Sequence, residues 1–573
     1  MSKSITNQRL VYKIHSSRLR YNNWNMNISF KEAVRNEEVV SLGDSIVLRM
    51  IRNITNNNIT DDYINNLKKD IKKLKKEKKD YSEKQNKLNT ITLENNYLLI
   101  VFDNDEDWKY CTNEDNEIKF NNKIFVRLVG TNGGIKNNTV VFINKEIFED
   151  LDKRLNNGRN EKEKYVPAKF EAYKALAFSC STEVTQPNMN GVLVVEDGHT
   201  SFLEDVLQLK GKPYKEKKYI KNGEEKIRKI KSNEFDLNLV ENYKIEKDFT
   251  DGCGIVLKSL ADQWAIDLGE YHLDDNGDKV ANYTPSGFNI RNAWTKGMVF
   301  TFPFDEYAEE IGESEVIDIW GNVHKVKDIQ LVITNNMLKL WKAYSSIEDY
   351  LSNCDKNGFK YCVAKLLPEK LEETRNMNYQ FLQSYDFSDE DLEELIKPTV
   401  DDIYGVLGDN NEIDYSKVLL FLKGNKINKK DYIYEEQNYI KALMTNKEMI
   451  NDPFIKQKIY KMIKKRIEDS KKGVIKVKGN YGIISGDLYA LCQYIFKREV
   501  TGALQKGEFY NRTWLDKGVN KIVAYRAPMT IHNNIRILNL FENEITKKYF
   551  RYMKVVTVFN AFDTTCDALN GAD

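Results

Sequence analysis

The sequence predicts a mixed α/β chain in which β-rich regions flank a helical connector. Three observations predict it. From Asn96, apolar runs punctuated by Gly and Asn, among them NYLLIVFD, KIFVRLVGT and NTVVFINKEIF, read as strands. Between residues 366 and 470 the period changes to helical, in LPEKLEETRNMNYQFLQSY, SDEDLEELIKPTVDDIYGVL and PFIKQKIYKMIKKRIEDSKK. From Val474 to the end, short strands and loops return. A length of 573 residues corresponds to several domains.

Apolar residues make up 41% of the chain, enough for packed cores. The net charge is only +1, so any nucleic-acid binding must rest on local basic surfaces. Seven scattered cysteines form no C-x-x-C pair and the five histidines are equally dispersed, which points away from zinc and towards reduced thiols of a cytosol-like compartment. The start MSKSITNQRLVYKIHSS has no apolar h-region and predicts no signal peptide. The longest apolar run, around YLLIVF, is too short to span a bilayer, so no membrane is expected as a partner. Lys, Asn and Ile are over-used, as in AT-rich coding of a low-GC bacterium or its phage.

Five regions follow in order. Residues 1–115 form an N-terminal region containing a Lys-rich amphipathic helix over 61–88, where Ile64, Leu67, Ile71 and Leu74 recur at helical spacing. Residues 116–250 read as a β-rich upstream domain. Within it, 209–231 is basic and turn-rich, an exposed loop or hairpin that is solvated or contacts a nucleic-acid backbone. Short strands and tight turns fill 251–365, and the helical connector spans 366–473. Ser388 followed by three acids marks one helix start and Asp452-Pro453 another. Residues 474–573 return to strands. No internal repeat is visible.

Four stretches carry candidate chemistry. In TPSGFNIRNAWTKGMVFTFPF, Phe288 and Ile290 alternate with Asn289 and Arg291 as in a half-buried strand, and a turn presents Lys296 ahead of Gly297, a glycine that lets the backbone turn sharply. In DIQLVITNNMLKLWKAY a strand precedes a turn and Lys339. Two lysines at neighbouring strand ends could clamp a polyphosphate; each taken singly is a surface lysine. In VAYRAPMTIHNN, Arg526 stands beside Ala527-Pro528, where an extended backbone could present a fixed guanidinium fork to a ribose or phosphate. The sequence ends in LNGAD, and Asp573 alone offers too few oxygens for magnesium.

The order of these elements is more specific than any one of them. SGFNIRNAWTKGM, NMLKL, NYQFLQS, GNYGIISGDLYALCQYIF, YRAP and LNGAD together resemble the double-psi β-barrel RNA polymerases, and most closely the single-chain phage branch related to the eukaryotic RNA-silencing polymerases. SGFNIRNAWTKGM is similar to that branch's S-x-F-Q-I-R…K-G element, NMLKL to its S-M-x-K-F element with Asn336 in place of Ser, YRAP to an R-x-P element, and NGAD to the opening of N-A-D-F-D-G-D. VRLVGTNGGIKNNTVVFI is similar to the region upstream of the barrels. The resemblance covers about residues 120–573.

The resemblance implies two double-psi β-barrels. The first, lysine-bearing, lies at 251–365; the second, at 474–573, is incomplete at the catalytic aspartate loop. It implies synthesis of RNA from nucleoside triphosphates on a nucleic-acid template, with two Mg2+ ions as cofactor. Asp573 would be a metal ligand, and Lys296 and Lys339 would neutralise charge at the reacting phosphates. Arg526 would contact the incoming nucleotide, Arg291 would touch nucleic-acid backbone, and the connector would carry the template–product hybrid. The family motif continues F-D-G-D after its first aspartate, so the expectation is an N-terminal fragment, inactive alone, that partners a C-terminal polymerase fragment beginning F-D-G-D. A DNA template fits a phage enzyme acting in the host cytoplasm or packaged in the virion. An RNA template fits the silencing branch. A catalytically dead nucleic-acid-binding fragment and an unrelated β-rich phage protein are the other readings.

Overall fold

In a computed structural model the structure describes residues 8–55, 61–77, 79–112, 117–129, 138–160, 166–210, 214–221, 224–231, 236–250, 252–407, 415–423, 438–529 and 534–569. The architecture is mixed α/β, with two seven-stranded sheets, one five-stranded sheet and helices between them.

The first sheet is N-terminal. Its order is Asn25–Met26, Ile118–Phe120, Lys123–Val129, Thr139–Asn144, Leu93–Val101, Gln8–His15 and Val39–Gly43. Residues 118–144 therefore share a sheet with 8–43. The helix expected over 61–88 is two helices, Asp61–Lys76 and Ser82–Thr92. Ile64, Leu67 and Ile71 are buried as their spacing requires. The stretch between the helices is charged up to the exposed Tyr81 and does not continue the buried stripe, and Asp80 accepts hydrogen bonds from the Ser82 N–H (2.9 Å) and hydroxyl (2.6 Å), which starts the second helix afresh.

The second sheet has the order Thr182–Glu183, Cys362–Leu366, Gly287–Asn292, Thr295–Thr301, Cys253–Val256, Leu331–Thr334 and Val192–Val195. It mixes parallel pairs, such as Cys253↔Met298 and Leu331↔Val192, with antiparallel ones. Between Val192–Val195 and Cys253–Val256 a long ribbon is inserted, His199–Lys210 against Asp236–Asp248. The basic stretch beyond it is a hairpin, Tyr214–Lys221 against Glu224–Lys231.

The connector contains Tyr379–Gln383, Asp389–Leu407, Tyr415–Leu422, Asn438–Thr445 and Pro453–Lys471. Asp452 caps the last of these, accepting from the N–H groups of Phe454 (2.9 Å) and Ile455 (3.2 Å), with Pro453 in the first turn where no donor is needed. Ile455, Ile459 and Ile463 form its buried stripe and pack on Val418, Leu422 and Leu443.

The third sheet has the order Ile483–Ser485, Val556–Phe559, Glu508–Tyr510, Ile535–Leu540 and Lys521–Tyr525. It shares one apolar core with the second. Leu193, Ile255, Phe300 and Phe302 from one side meet Leu491, Tyr510, Phe550 and Val556 from the other, all nearly inaccessible. Each such side chain contributes about 1.5–3 kcal/mol by leaving water, which fixes the two sheets against each other. No helix among the described residues is long and apolar enough to cross a membrane.

Candidate functional site

Gly287–Asn292 and Thr295–Thr301 form a hairpin in the register Arg291↔Lys296 and Asn292↔Thr295, closed by Ala293-Trp294. Trp294 adopts φ +57°, unusual for a bulky residue. It is held there by its buried indole, whose Nε1 donates to Tyr344 Oη at 2.8 Å. The next strand segment begins with buried Thr295 and exposed Lys296.

Lys339 comes from a different part of the chain to the same place. Thr295 and Leu338 form an isolated antiparallel bridge. Around it the Lys296 N–H donates to the Met337 carbonyl (3.2 Å) and the Lys339 N–H to the Trp294 carbonyl (3.1 Å). Thr295 and Leu338 are wholly buried, and the two lysines flank them one residue further along each segment. Diagonal neighbours of this kind lie about 7–8 Å apart along an antiparallel pair. The structure thus brings Lys296 and Lys339 together through backbone hydrogen bonds.

Gly297 is needed for a different reason from the sharp turn its position suggests. It lies within the strand, and a Cβ there would sit 2.2 Å from the Gly252 carbonyl oxygen and 2.9 Å from Met337. The close approach of the 252 backbone, whose carbonyl accepts from Met298 N–H at 3.2 Å, excludes any side chain.

Lys296 opens on a cavity of about 220 Å³ between the second and third sheets. Asn289, Gly297 and Met298 line it from one sheet, and Ile484, Gly486, Phe559, Asn560 and Cys566 from the other side. Lys247, at the base of the long ribbon, also faces this cavity. It is 9% exposed and donates to the Asp563 carbonyl at 3.1 Å. Nothing local in NYKIEKDFT marks this lysine; only the ribbon's return to the sheet places it.

Arg291 does not reach the surface. It is 9% exposed, and its Nη1 donates to the Ile290 carbonyl at 2.7 Å and to Asn289 Oδ1. No carboxylate pairs with it among the described residues, and burial pushes its pKa down to about 10. Through Asn289 it backs the Lys296 cavity from inside the sheet.

Arg526 is exposed at the end of Lys521–Tyr525, beside the cis Ala527-Pro528 peptide. It lines a groove of about 440 Å³ that shares Ile484 and Phe559 with the Lys296 cavity. The same groove shares Arg375, Asn376 and Tyr481 with a third cavity of about 870 Å³, walled by Lys465, Arg466 and Lys476 of the connector region. Shared lining residues relate the three cavities in a run from the connector past Arg526 to Lys296.

Asp573 and the Asn570-Gly571-Ala572 before it lie outside the described residues. The segment leading to them ends at this run: Cys566 lines the Lys296 cavity and the buried Leu569 lines the Arg526 groove. Among the described residues no three His, Cys, Asp or Glu side chains converge on a point that could hold a metal ion. Asp563, in the loop after Val556–Phe559, is already engaged. Its carboxylate accepts from Asn560 Nδ2 (2.7 Å), Gly507 N–H (2.9 Å) and Thr565 N–H (2.9 Å). The described residues by themselves do not fit a magnesium site.

Comparison with known proteins gives the chain a family. The chain belongs to the RNA-dependent RNA polymerase family, which matches residues 105–571. It is also 31% identical over 236 residues to the DNA-directed RNA polymerase YonO of Bacillus phage SPbeta. That match takes in 40% of this chain and spans 27% of the relative's length.

Proposed function

We propose that this chain is part of a template-dependent RNA polymerase, DNA-directed as its phage relative is, built on two double-psi barrels with the boundaries 251–365 and 474–573. The observation that carries the reading is the bridge that sets the Lys296 and Lys339 backbones side by side, with Lys296 on a cavity that shares Ile484 and Phe559 with the Arg526 groove. Two lysines on adjacent segments suit a triphosphate, whose charge grows on the leaving pyrophosphate as the bond breaks. Lys296 and Lys339 would offset that charge, and Arg526 would hold the nucleotide's sugar or phosphate by a fork of donors. Buried Arg291 would act from behind the cavity wall, as a fixed positive charge near the nucleic acid. Asp573 would be one magnesium ligand, in company with an F-D-G-D element, and the ions when bound would activate the 3′ hydroxyl and steady the pyrophosphate. The wide connector cleft would take the template–product hybrid through backbone contacts that read shape.

The test is incorporation of labelled nucleoside triphosphates on single-stranded DNA and RNA templates by this chain together with a polypeptide carrying F-D-G-D. The expected result is magnesium-dependent RNA synthesis on DNA that Lys296→Ala slows by a factor on the order of 10²–10³. Synthesis unaffected by Lys296→Ala would overturn the assignment of the cleft. Preference for an RNA template would transfer the protein to the silencing type.

A further inference from the structure

Resting on the polymerase reading, we propose that the Asn480-Tyr481 turn is a stacking site for an unpaired base of a nucleic-acid strand passing along the cavity run. Tyr481 stands where the connector cleft and the Arg526 groove meet, and lines both. It is 60% exposed, so its ring adds little to any core. Its plane is nevertheless fixed. The Oη donates to the Asn376 carbonyl at 3.3 Å, and the Arg375 guanidinium lies 5.0 Å from the ring centroid. A large flat π surface held still in a groove is what stacking on a base requires.

The turn itself is built to leave room. Gly479 and Gly482 flank the pair, and a Cβ at Gly479 would meet no heavy atom within 4 Å. Asn480 supplies the second observation. Its Nδ2 is buried and has no hydrogen-bond partner among the described residues, although the residue lines the groove. A buried donor left unmade is costly, and an acceptor on a nucleotide seated against Tyr481 would satisfy it. On the connector side Lys476 and Arg466 pair with Asp402, and Glu372, Glu373 and Asp469 also wall the cavity. Cations lie on both sides: Lys465 towards the connector, and Lys478, Lys521 and Arg526 towards the cleft. They suit a phosphate backbone running past the ring. The strand must be unpaired at this point, because a base inside a duplex has both faces occupied by its neighbours.

The test is fluorescence anisotropy of the full chain with labelled oligothymidylate and with a duplex of the same length. Tyr481→Ala should weaken single-strand binding by about tenfold or more and leave duplex binding and thermal unfolding unchanged. Tyr481→Phe keeps the ring but loses the Oη hydrogen bond to Asn376, so it should bind more weakly than wild type and clearly more tightly than Tyr481→Ala. A 5-iodouracil oligonucleotide should crosslink at Tyr481. Wild-type affinity in Tyr481→Ala, or equal losses in Tyr481→Ala and Tyr481→Phe, would overturn the proposal. The measurement needs no synthesis. Failure here with Lys296-dependent synthesis intact removes only the stacking site, whereas weakened binding in Tyr481→Ala with no such synthesis removes only the polymerase reading.

Discussion

Asn336 donates its side-chain amide to the buried carboxylate of Asp197 at 2.9 Å. The same carboxylate oxygen accepts from Thr250 Oγ1 at 2.7 Å, and the Asp197 N–H donates to Asn335 Oδ1 at 3.0 Å. Asp197 therefore ties the turn that leads to Lys339 to the segment entering the next strand of the sheet. Asn336 stands where the resembling element has Ser, and the longer amide spans to this acceptor. Asp197→Ala would leave the Thr250 hydroxyl and the Asn336 amide without it. The expected cost is about 1–3 kcal/mol, read as a lower urea midpoint, with synthesis reduced as the Lys339 turn loosens. An unchanged midpoint would show that the tie contributes nothing.

Lys296→Ala, Lys339→Ala and Arg526→Ala should each slow RNA synthesis by a factor on the order of 10²–10³, the usual effect of removing one donor aimed at developing charge. Template affinity, measured by filter binding, should persist in all three, since backbone contacts elsewhere supply it. Equal losses of binding and synthesis would make these residues template contacts instead.

The strands around the site were legible because their period is two. Phe288 and Ile290 read as inward-facing, and both are wholly buried. The same alternation puts Arg291 on the other face, which in a half-buried strand would be solvent. Here the strand is covered on both faces, so Arg291 is buried too, and alternation could not reveal the second cover. The connector's helix starts were legible from Ser388 and Asp452 because capping is local chemistry. The Thr295↔Leu338 bridge was not, since no local pattern sets the register of two segments so far apart in the chain. For the same reason Lys247 and Asp197 went unread: their roles come from where the ribbon and the strand before it return to the sheet, not from their neighbours in sequence.

Gly297→Ala is expected to damage the fold rather than the chemistry. The added methyl would be forced against the Gly252 carbonyl, a backbone atom that cannot swing aside. Overpacking of this kind costs about 1–3 kcal/mol, and thermal unfolding of the variant should fall accordingly. An exposed glycine such as Gly277, whose Cβ would meet nothing within 4 Å but whose φ is +86°, provides a comparison in which only backbone strain is tested. If Gly297→Ala unfolds like the wild type, the 252 backbone must be free to move away from the strand.

Asp563 links the cleft to pH. Burial pushes its pKa up, but hydrogen bonds from Asn560, Thr565 and Gly507 together outweigh burial and hold the carboxyl below its ordinary value. The folded chain therefore keeps this group ionised to lower pH than the unfolded chain does, so the unfolded state binds more protons as the solution is acidified. The stabilisation is complete above the unfolded value of about 3.9 and is lost as pH falls through the folded value. Asp563→Asn keeps the shape and removes the charge. At neutral pH it should lose about 1–3 kcal/mol, because an amide turns donors towards N–H groups that need an acceptor. Below about pH 4 the carboxyl of the unfolded wild-type chain protonates first and that of the folded chain only at lower pH, so the difference between the two proteins should shrink across this window. Chemical denaturation of both across this range is the measurement. A difference that stays constant from neutral pH into acid would mean that the charge of Asp563 does not hold the loop beside the Lys296 cavity.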